Sequence, residues 1–525
     1  MGVRRLLPRL SIRLNLSFLL AALLALVLFA LSFNTFQTGA YADDAHYLVL
    51  GKSLASGRGY RLISYPDSPI HTTFPCGYPL LLSLIFRSGA DFGQVVFVAK
   101  LINAGFIFVS ALLAFWLFRK GNEQGYHLAV LLFLCNPQIV GLSSQVMSEA
   151  TYIFASFLSL CLFELYNAQQ GKKRIILLAL ASGIAALATM VRTIGFSILF
   201  AFVIYQVLSK RWRHIPLILG VFFLSYAPQI SLNITGGGGL ISSGYIKQTT
   251  STGTLLTKGV QILSNLWAYA TTGFAGILVP LIGPRLMSAM GALRSLATIF
   301  GLIVTSIVII GWISARNMVD MSRIYTAVYL VGVSCFWNPA TGNTQLRFLI
   351  PVLPFLYLYF VEGFFKLVTV ILRWARIGVQ CIAMGKRYAL LVVLLLLLAR
   401  DIQGVLNPVK ARITDLSVGA DWLRQNVPEN AIVMTRDPVS RHLYFERLTL
   451  DPPLGGDSTD LVAYVCGKGV KYVFVGPNLK GPSPVDLDQT SLQLLSAIER
   501  EPIHFSLVYQ DRQHNVSIYQ VRDCP

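Results

Sequence analysis

Residues 14–33, LNLSFLLAALLALVLFALSF, run twenty positions without a charge. A helix of that length crosses the roughly 30 Å hydrocarbon core of a bilayer. Arg4, Arg5, Arg9 and Arg13 precede it, which by the positive-inside rule puts the N-terminus in the cytoplasm. Ala40-Tyr41-Ala42 mimics a signal-peptidase site. The apolar stretch nevertheless exceeds the roughly 7–15 residues of a signal-peptide core, so it reads as an uncleaved first span.

The remainder of the chain extends that reading. Of 525 residues, 54% are hydrophobic and only 13% charged, about half the charged share of a soluble domain. An ordinary soluble enzyme and a disordered polyelectrolyte are thereby excluded. Further apolar stretches lie at about 93–118, 128–146, 149–168, 175–193, 195–208, 215–232, 297–314, 324–339, 347–366 and 388–405. That makes about eleven spans, with 266–282 either an interfacial helix or one more. An odd count sends the C-terminus outside.

The net charge of +19 has three candidate meanings: nucleic acid, anionic lipid, or orientation of the spans. Position decides among them. The segments expected to be cytoplasmic hold 19 of the 43 basic residues, among them Arg119-Lys120, Lys172-Lys173-Arg174 and Lys210-Arg211-Trp212-Arg213, whereas 15 of the 24 acids follow residue 400. The charge is topological. No basic stripe interleaves with exposed aromatics as a strand-binding groove requires, so no nucleic-acid partner is expected.

Two expected outside segments are long. The first, about 34–92, contains a stretch from Asp44 to Leu54 patterned like a short helix on the membrane surface. The second, about 235–291, begins with Gly236–Gly239 and stays polar through Lys258, which predicts a mobile loop. A membrane module of residues 1–405 is then followed by a soluble, extracytoplasmic α/β domain over 406–525. In that domain the pattern predicts helices at 417–425 and 491–500 and strands at 431–435, 471–475, 505–509 and 516–521. Of seven cysteines, Cys466 and Cys524 share this domain and are candidates for a disulfide in an oxidising compartment.

Ionisable residues are scarce, so those at span boundaries stand out. Asp43 and Asp44 follow the first span in Tyr41-Ala42-Asp43-Asp44-Ala45-His46-Tyr47. One carboxylate there is placed to deprotonate a hydroxyl, the other to orient substrate or to help hold a divalent cation. The competing reading is that both cap the helix that follows. Glu149, after Met147-Ser148, is a functional candidate or the start of a helix with Ser148 as its cap. Arg347, in Gln345-Leu346-Arg347-Phe348-Leu349-Ile350-Pro351, suits a lipid phosphate or is a snorkelling interfacial arginine. Arg192 presents the same pair of readings where two spans meet. No nucleotide-binding loop, zinc-protease motif or nucleophile elbow is present.

In order and spacing these segments resemble the class C membrane glycosyltransferases, which include protein O-mannosyltransferases, lipid A aminoarabinose transferases and lipopolysaccharide-core galacturonosyltransferases. The resemblance rests on Asp43-Asp44-Ala45-His46-Tyr47, Leu54-Ala55-Ser56-Gly57-Arg58-Gly59-Tyr60, Phe74-Pro75-Cys76-Gly77-Tyr78-Pro79, Leu101-Ile102-Asn103-Ala104, Asn136-Pro137, Met147-Ser148-Glu149, Arg192-Thr193-Ile194-Gly195 and Arg347-Phe348-Leu349-Ile350-Pro351. It covers about the first 365 residues. It implies the GT-C fold in a multi-pass protein of the bacterial inner membrane, and inverting transfer of a hexosyl or pentosyl group. The donor would be a sugar on polyprenyl phosphate, and the acceptor a lipid, glycan or protein at the outer face. Carried over residue by residue, it makes Asp43 the base, Asp44 the second acid and Arg347 the phosphate-binding cation. Arg192, Arg58 and Lys258 are further phosphate candidates, and His46, Tyr47, Tyr60 and Tyr78 would line the substrate. Asp44 with Glu149 would hold a cation such as Mg2+, Mn2+ or Zn2+. The chain departs from the aminoarabinose transferases at His46, where they carry arginine, and in lacking a lysine near Phe74.

Three rival readings remain. A transporter or lipid scramblase predicts internal symmetry and ionisable residues near span centres. A surface-polysaccharide ligase or polymerase predicts use of diphosphate-linked oligosaccharide. A ligand-sensing protein has no need of Asp43, Asp44 and Glu149.

Overall fold

The computed structural model describes residues 16–33, 37–119, 123–242, 255–279, 292–314, 320–336, 344–374, 415–453, 458–477 and 486–522, with Cys524 and the isolated positions 392, 396, 399 and 403. Leu16–Ser32 forms α1, followed by the loop helices α2 (Asp43–Ala55) and α3 (Gly77–Arg87). The bundle continues with α4 (Phe92–Phe118), α5 (Glu123–Leu134), α6 (Pro137–Ser143), α7 (Glu149–Ala168), α8 (Gly171–Val191), α9 (Phe196–Leu208) and α10 (Ile215–Thr235). It closes with α11 (Leu255–Ala268), α12 (Phe274–Leu278), α13 (Ala292–Ser314), α14 (Asp320–Phe336), α15 (Thr344–Leu349) and α16 (Leu353–Trp374).

Six described helices are long and apolar enough to cross a membrane, or seven if the bent pair α5–α6 is one span. The eleven expected from sequence are not all matched at that length. α1, α9 and α14 have 17, 13 and 17 residues, and 388–405 lies outside the described residues apart from four isolated positions.

Local chemistry explains the breaks. Asp91 starts α4 with a reciprocal capping box, its side chain accepting from the Gln94 amide at 2.8 Å. The expected span 128–146 bends by 50° at Asn136-Pro137. Pro137 cannot donate to the preceding turn, and Asn136 uses its side-chain oxygen to accept from the Gln138 amide while its Nδ2 donates to the Ile277 carbonyl at 2.8 Å. A short 3-10 turn, Thr193–Gly195, separates α8 from α9.

The loop helix expected from Asp44 to Leu54 is present, but eight of its residues are buried. It packs against α3 and the C-terminal unit. Lys258, expected in a mobile loop, sits on α11, whose neighbour is α14; residues 243–254 lie outside the described residues.

The C-terminal unit comprises α17 (Ala420–Asn426), β1 (Ile432–Met434), α18 (Pro438–Phe445), β2 (Leu448–Leu450), α19 (Ser458–Gly467), β3 (Val470–Val475), α20 (Gln489–Arg500), β4 (Phe505–Asp511) and β5 (Val516–Val521). Its sheet order is β2-β1-β3-β5-β4. The first three strands are parallel, with Val433 opposite Thr449, and β3 and β5 are antiparallel, with Val473 opposite Tyr519. Leu461, Val465, Leu494 and Ile498 of α19 and α20 cover one face, and Leu423 and Phe445 of α17 and α18 the other. Cys466 and Cys524 are joined in a disulfide with Cα atoms 5.5 Å apart. Helix α18 and strand β2 were not foreseen from the sequence, and they carry the docking contacts described below.

Candidate active site

The starts of α2 and α7, the end of α8 and the helix α15 meet at one end of the bundle. Asp43 opens α2, Glu149 opens α7, Arg192 closes α8 and Arg347 sits on α15. Segments separated by up to 304 residues thus deliver two acids and two arginines to one point. Arg347 Nη1 donates to Asp43 Oδ2 at 2.8 Å, and its Nε donates to Glu149 Oε1. Arg192 Nη1 pairs with the same Glu149 oxygen at 2.7 Å.

Exposure divides the cluster into a floor and a mouth. The Glu149 side chain is 0% exposed, that of Arg192 16%, of Arg347 22% and of Asp43 30%. Glu149 is the buried counter-ion of both guanidiniums, and among the described residues its Oε2 has no hydrogen-bond partner. Asp43 and Arg347 are the more exposed members of the cluster. Such an array is suited to holding a phosphate beside a carboxylate base.

Aromatic and hydroxyl groups fix the floor. The Tyr47 hydroxyl lies 3.0 Å from Ser148 Oγ, which also accepts from Arg192 Nη1 at 3.2 Å. Tyr47 meets Phe74 and Tyr78 edge-on, each at 5.1 Å. Asn103 ties Tyr78 to the turn before α7, its Nδ2 donating to the Gln145 and Met147 carbonyls at 2.8 and 3.1 Å and to the Tyr78 hydroxyl at 3.2 Å. Gly77 allows α3 to reach the end of α8, since a Cβ there would lie 2.8 Å from the Met190 carbonyl carbon and oxygen. Ala42, just before the acid pair, sits at φ 63°, a conformation that costs an alanine on the order of 1 kcal/mol or more.

The other sequence candidates fall into distinct places. Asp44 is buried, and its two oxygens accept from the Gly39 amide at 2.6 Å and the Ala45 amide at 2.9 Å. Burial pushes its carboxyl up to about 6, against the pull of those amides and helped by the Asp43 charge. His46 is half-buried, within 5.3 Å of His71 and of Phe74. Burial holds both histidines below their ordinary range, His71 at about 4. Tyr60 is scaffolding, its hydroxyl donating to the Phe74 carbonyl at 2.9 Å. Arg58 is exposed in the turn after α2, and Lys258 lies beside Cys335. Among the described residues neither makes a hydrogen bond or ion pair to the cluster.

The residues named for a divalent cation do not fit one. Both Asp44 oxygens are taken by backbone amides, and Glu149 is held between two arginines. Among the described residues no group of three or more His, Cys, Asp or Glu side chains is arranged to hold a metal.

Sequence reasoning missed Ser148 as a hydrogen-bonding hinge between Tyr47 and Arg192. Ser148 does stand at the N-cap position of α7, as one of the two readings had it, but among the described residues its hydroxyl makes no capping bond and serves Tyr47 and Arg192 instead. Lys100 was also missed. Its Nζ donates to the Phe33 carbonyl at 3.1 Å, and its charge acts on Asp44. A lone lysine in the apolar α4 was the available signal.

No family model matches the chain, and no curated protein matches it by sequence. The architecture does match: the chain has the GT-C fold of the class C membrane glycosyltransferases. ArnT from Cupriavidus metallidurans, solved with undecaprenyl phosphate bound, superposes with a TM-score of 0.57 at 11% identity, covering 95% of this chain and 97% of that one. The Archaeoglobus fulgidus oligosaccharyltransferase, solved as a complex with Zn and sulfate, gives 0.56 at 15% identity over 96% of this chain and 73% of that one. The oligosaccharyltransferase AglB from the same organism, in complex with an inhibitory peptide and a dolichol-phosphate, gives 0.52 at 12% identity over 96% and 74%.

Proposed function

We propose that the protein transfers a sugar from a polyprenyl-phosphate-linked donor to a hydroxyl acceptor, with Asp43 as general base. The observation that carries this is the 2.8 Å pairing of Asp43 with Arg347 at the partly open face of the cluster. It puts a proton acceptor beside a cation suited to phosphate. The fold shared with ArnT and AglB, which were solved with undecaprenyl phosphate and dolichol-phosphate, supports the same class of donor.

In this reading the donor phosphate lies on Arg347, with Arg192 behind it. Its charge displaces Asp43 from Arg347 and frees the carboxylate for the acceptor. Asp43 takes the proton of the acceptor hydroxyl as that oxygen attacks the anomeric carbon from the face opposite the phosphate. The new carbon–oxygen bond forms while the sugar–phosphate bond breaks, and the electron pair leaves with polyprenyl phosphate. The anomeric configuration inverts. Arg347 stabilises the charge that develops on the leaving phosphate. Tyr47 and Tyr78 shape the floor, and His46 borders the acceptor side.

Asp43→Asn keeps the hydrogen-bonding shape and removes the base. It is expected to lower transfer about 10²–10⁴-fold while retaining polyprenyl phosphate binding. Purified protein assayed with a polyprenyl monophosphate sugar and an acceptor lipid checks this, and full activity in the variant overturns the base assignment. One observation favours a second reading: two guanidiniums share Glu149, enough to hold a diphosphate. The same assay with a diphosphate-linked oligosaccharide distinguishes a ligase or polymerase.

A further inference from the structure

The other end of the bundle carries a second organised polar cluster, remote from the reaction. Helix α7 runs 20 residues from Glu149 to Ala168, so its far end lies about 30 Å from the acid–arginine cluster. There Tyr166 is fully buried, and its hydroxyl lies 2.7 Å from His214 Nδ1 and accepts from Gln206 Nε2 at 3.0 Å. The Arg174 guanidinium stacks 4.8 Å above the Tyr166 ring and donates from Nη2 to the same hydroxyl at 3.4 Å. Arg211 is drawn in beside it, donating to Asn167 Oδ1 at 3.0 Å.

Charge bias between loops requires only that cations be present, and solvated lysines suffice. Here two arginines and a histidine are instead held together by the bundle. Both guanidinium charges act on His214. Lys172, Lys173, Lys210 and Arg213 flank them in the sequence. Among the described residues none of these cations has a carboxylate partner, and Arg174 Nε is buried without a hydrogen bond. Like charges fixed together without a counter-ion repel, and an anion placed between them removes that cost.

The surroundings identify the anion's source. Leu208 at the end of α9 is 69% exposed, Trp212 in the turn after Arg211 59%, and Ile176 on α8 beside Arg174 58%. This is an apolar rim with an interfacial tryptophan, the setting of acyl chains and headgroups. We propose that this cluster binds the phosphate headgroup of an anionic phospholipid in the leaflet at that end, gripped between Arg174 and Arg211.

The test titrates the full chain in detergent with phosphatidylglycerol, phosphatidylcholine or inorganic phosphate and counts bound lipid by native mass spectrometry. Phosphatidylglycerol is expected to bind well above phosphatidylcholine. Arg174→Gln with Arg211→Gln should lower its affinity about ten- to thirty-fold. The charge-conserving Arg174→Lys with Arg211→Lys should lose several-fold, because lysine cannot grip a phosphate with a planar fork. Arg211→Lys alone, at a half-buried turn position, should show part of that loss and serves if the double variant does not fold. Equal binding of the two lipids, wild-type affinity in the lysine variants, or full displacement of the lipid by equimolar inorganic phosphate each overturns the proposal.

Discussion

Glu149 shows how few atoms organise the cluster: one of its carboxylate oxygens meets both Arg192 and Arg347. Removing its charge leaves Arg192 without a carboxylate and Arg347 with Asp43 alone. Glu149→Gln is therefore expected to cost about 3–5 kcal/mol, read as a lower thermal midpoint in detergent, with transfer lost as well. Asp44 makes a different prediction. Its folded carboxyl titrates near 6, above the ordinary value of 3.8, so its stabilising contribution is full at low pH and is lost as pH rises through about 6. The effect is on the order of 2–3 kcal/mol. His46 and His71 are held below their ordinary range and bias stability the opposite way as pH falls. The Asp44 part is therefore the difference in slope between wild type and Asp44→Asn in melts from pH 4 to 7. Equal slopes would show that Asp44 does not titrate there. At this scale much was legible, because ionisable side chains at span ends are costly in an apolar chain. Asp43, Asp44, Glu149, Arg192 and Arg347 all stood out for that reason. Which of them touch was not legible: Asp43 and Asp44 are adjacent in sequence, yet one faces Arg347 and the other is tied to the Gly39 and Ala45 amides.

The helices place these side chains by close backbone approach. Gly77 brings α3 against the end of α8, two residues before Arg192. Gly77→Ala is expected to force the two apart, costing about 1–3 kcal/mol and lowering transfer by moving Arg192. A variant with wild-type melting and activity would refute that role. Gly311 and Gly363 bring α13 and α16 together in the same way, because a Cβ on either would land on a backbone carbonyl of the other helix. Apolar stretches predicted most of the helices, since length and hydropathy are local. The 50° bend at Asn136-Pro137 was not predicted, because Asn136 finds its Ile277 partner only in the folded bundle. Strand β2 was missed for a related reason. Three residues carry too little pattern, and its Thr449 amide binds the Ser64 carbonyl at 2.8 Å, far away in sequence.

Across the whole molecule, the C-terminal unit is fastened to the loop that holds Asp43. Ser440 Oγ donates to the Gly39 carbonyl at 2.9 Å, the Tyr444 hydroxyl to Thr38 at 2.5 Å, and the Tyr65 hydroxyl to Asp451 Oδ2 at 2.8 Å. Each such bond contributes roughly 1 kcal/mol. Ser440→Ala with Tyr444→Phe should speed amide hydrogen exchange over residues 37–44 while α7 and α8 stay protected. Unchanged exchange there would mean the fastening is dispensable. The unit's presence was legible from its composition, and its attachment was not. That attachment also sets an order of assembly. Ser440 and Gly39 are 401 residues apart, and a ribosome adding about 5–20 residues per second separates their synthesis by roughly 20–80 s. The loop bearing Asp43 is therefore made long before the residues that brace it, and Arg347 also arrives late. A nascent chain therefore presents the Asp43 carboxylate before either its Arg347 partner or the residues that brace its loop exist.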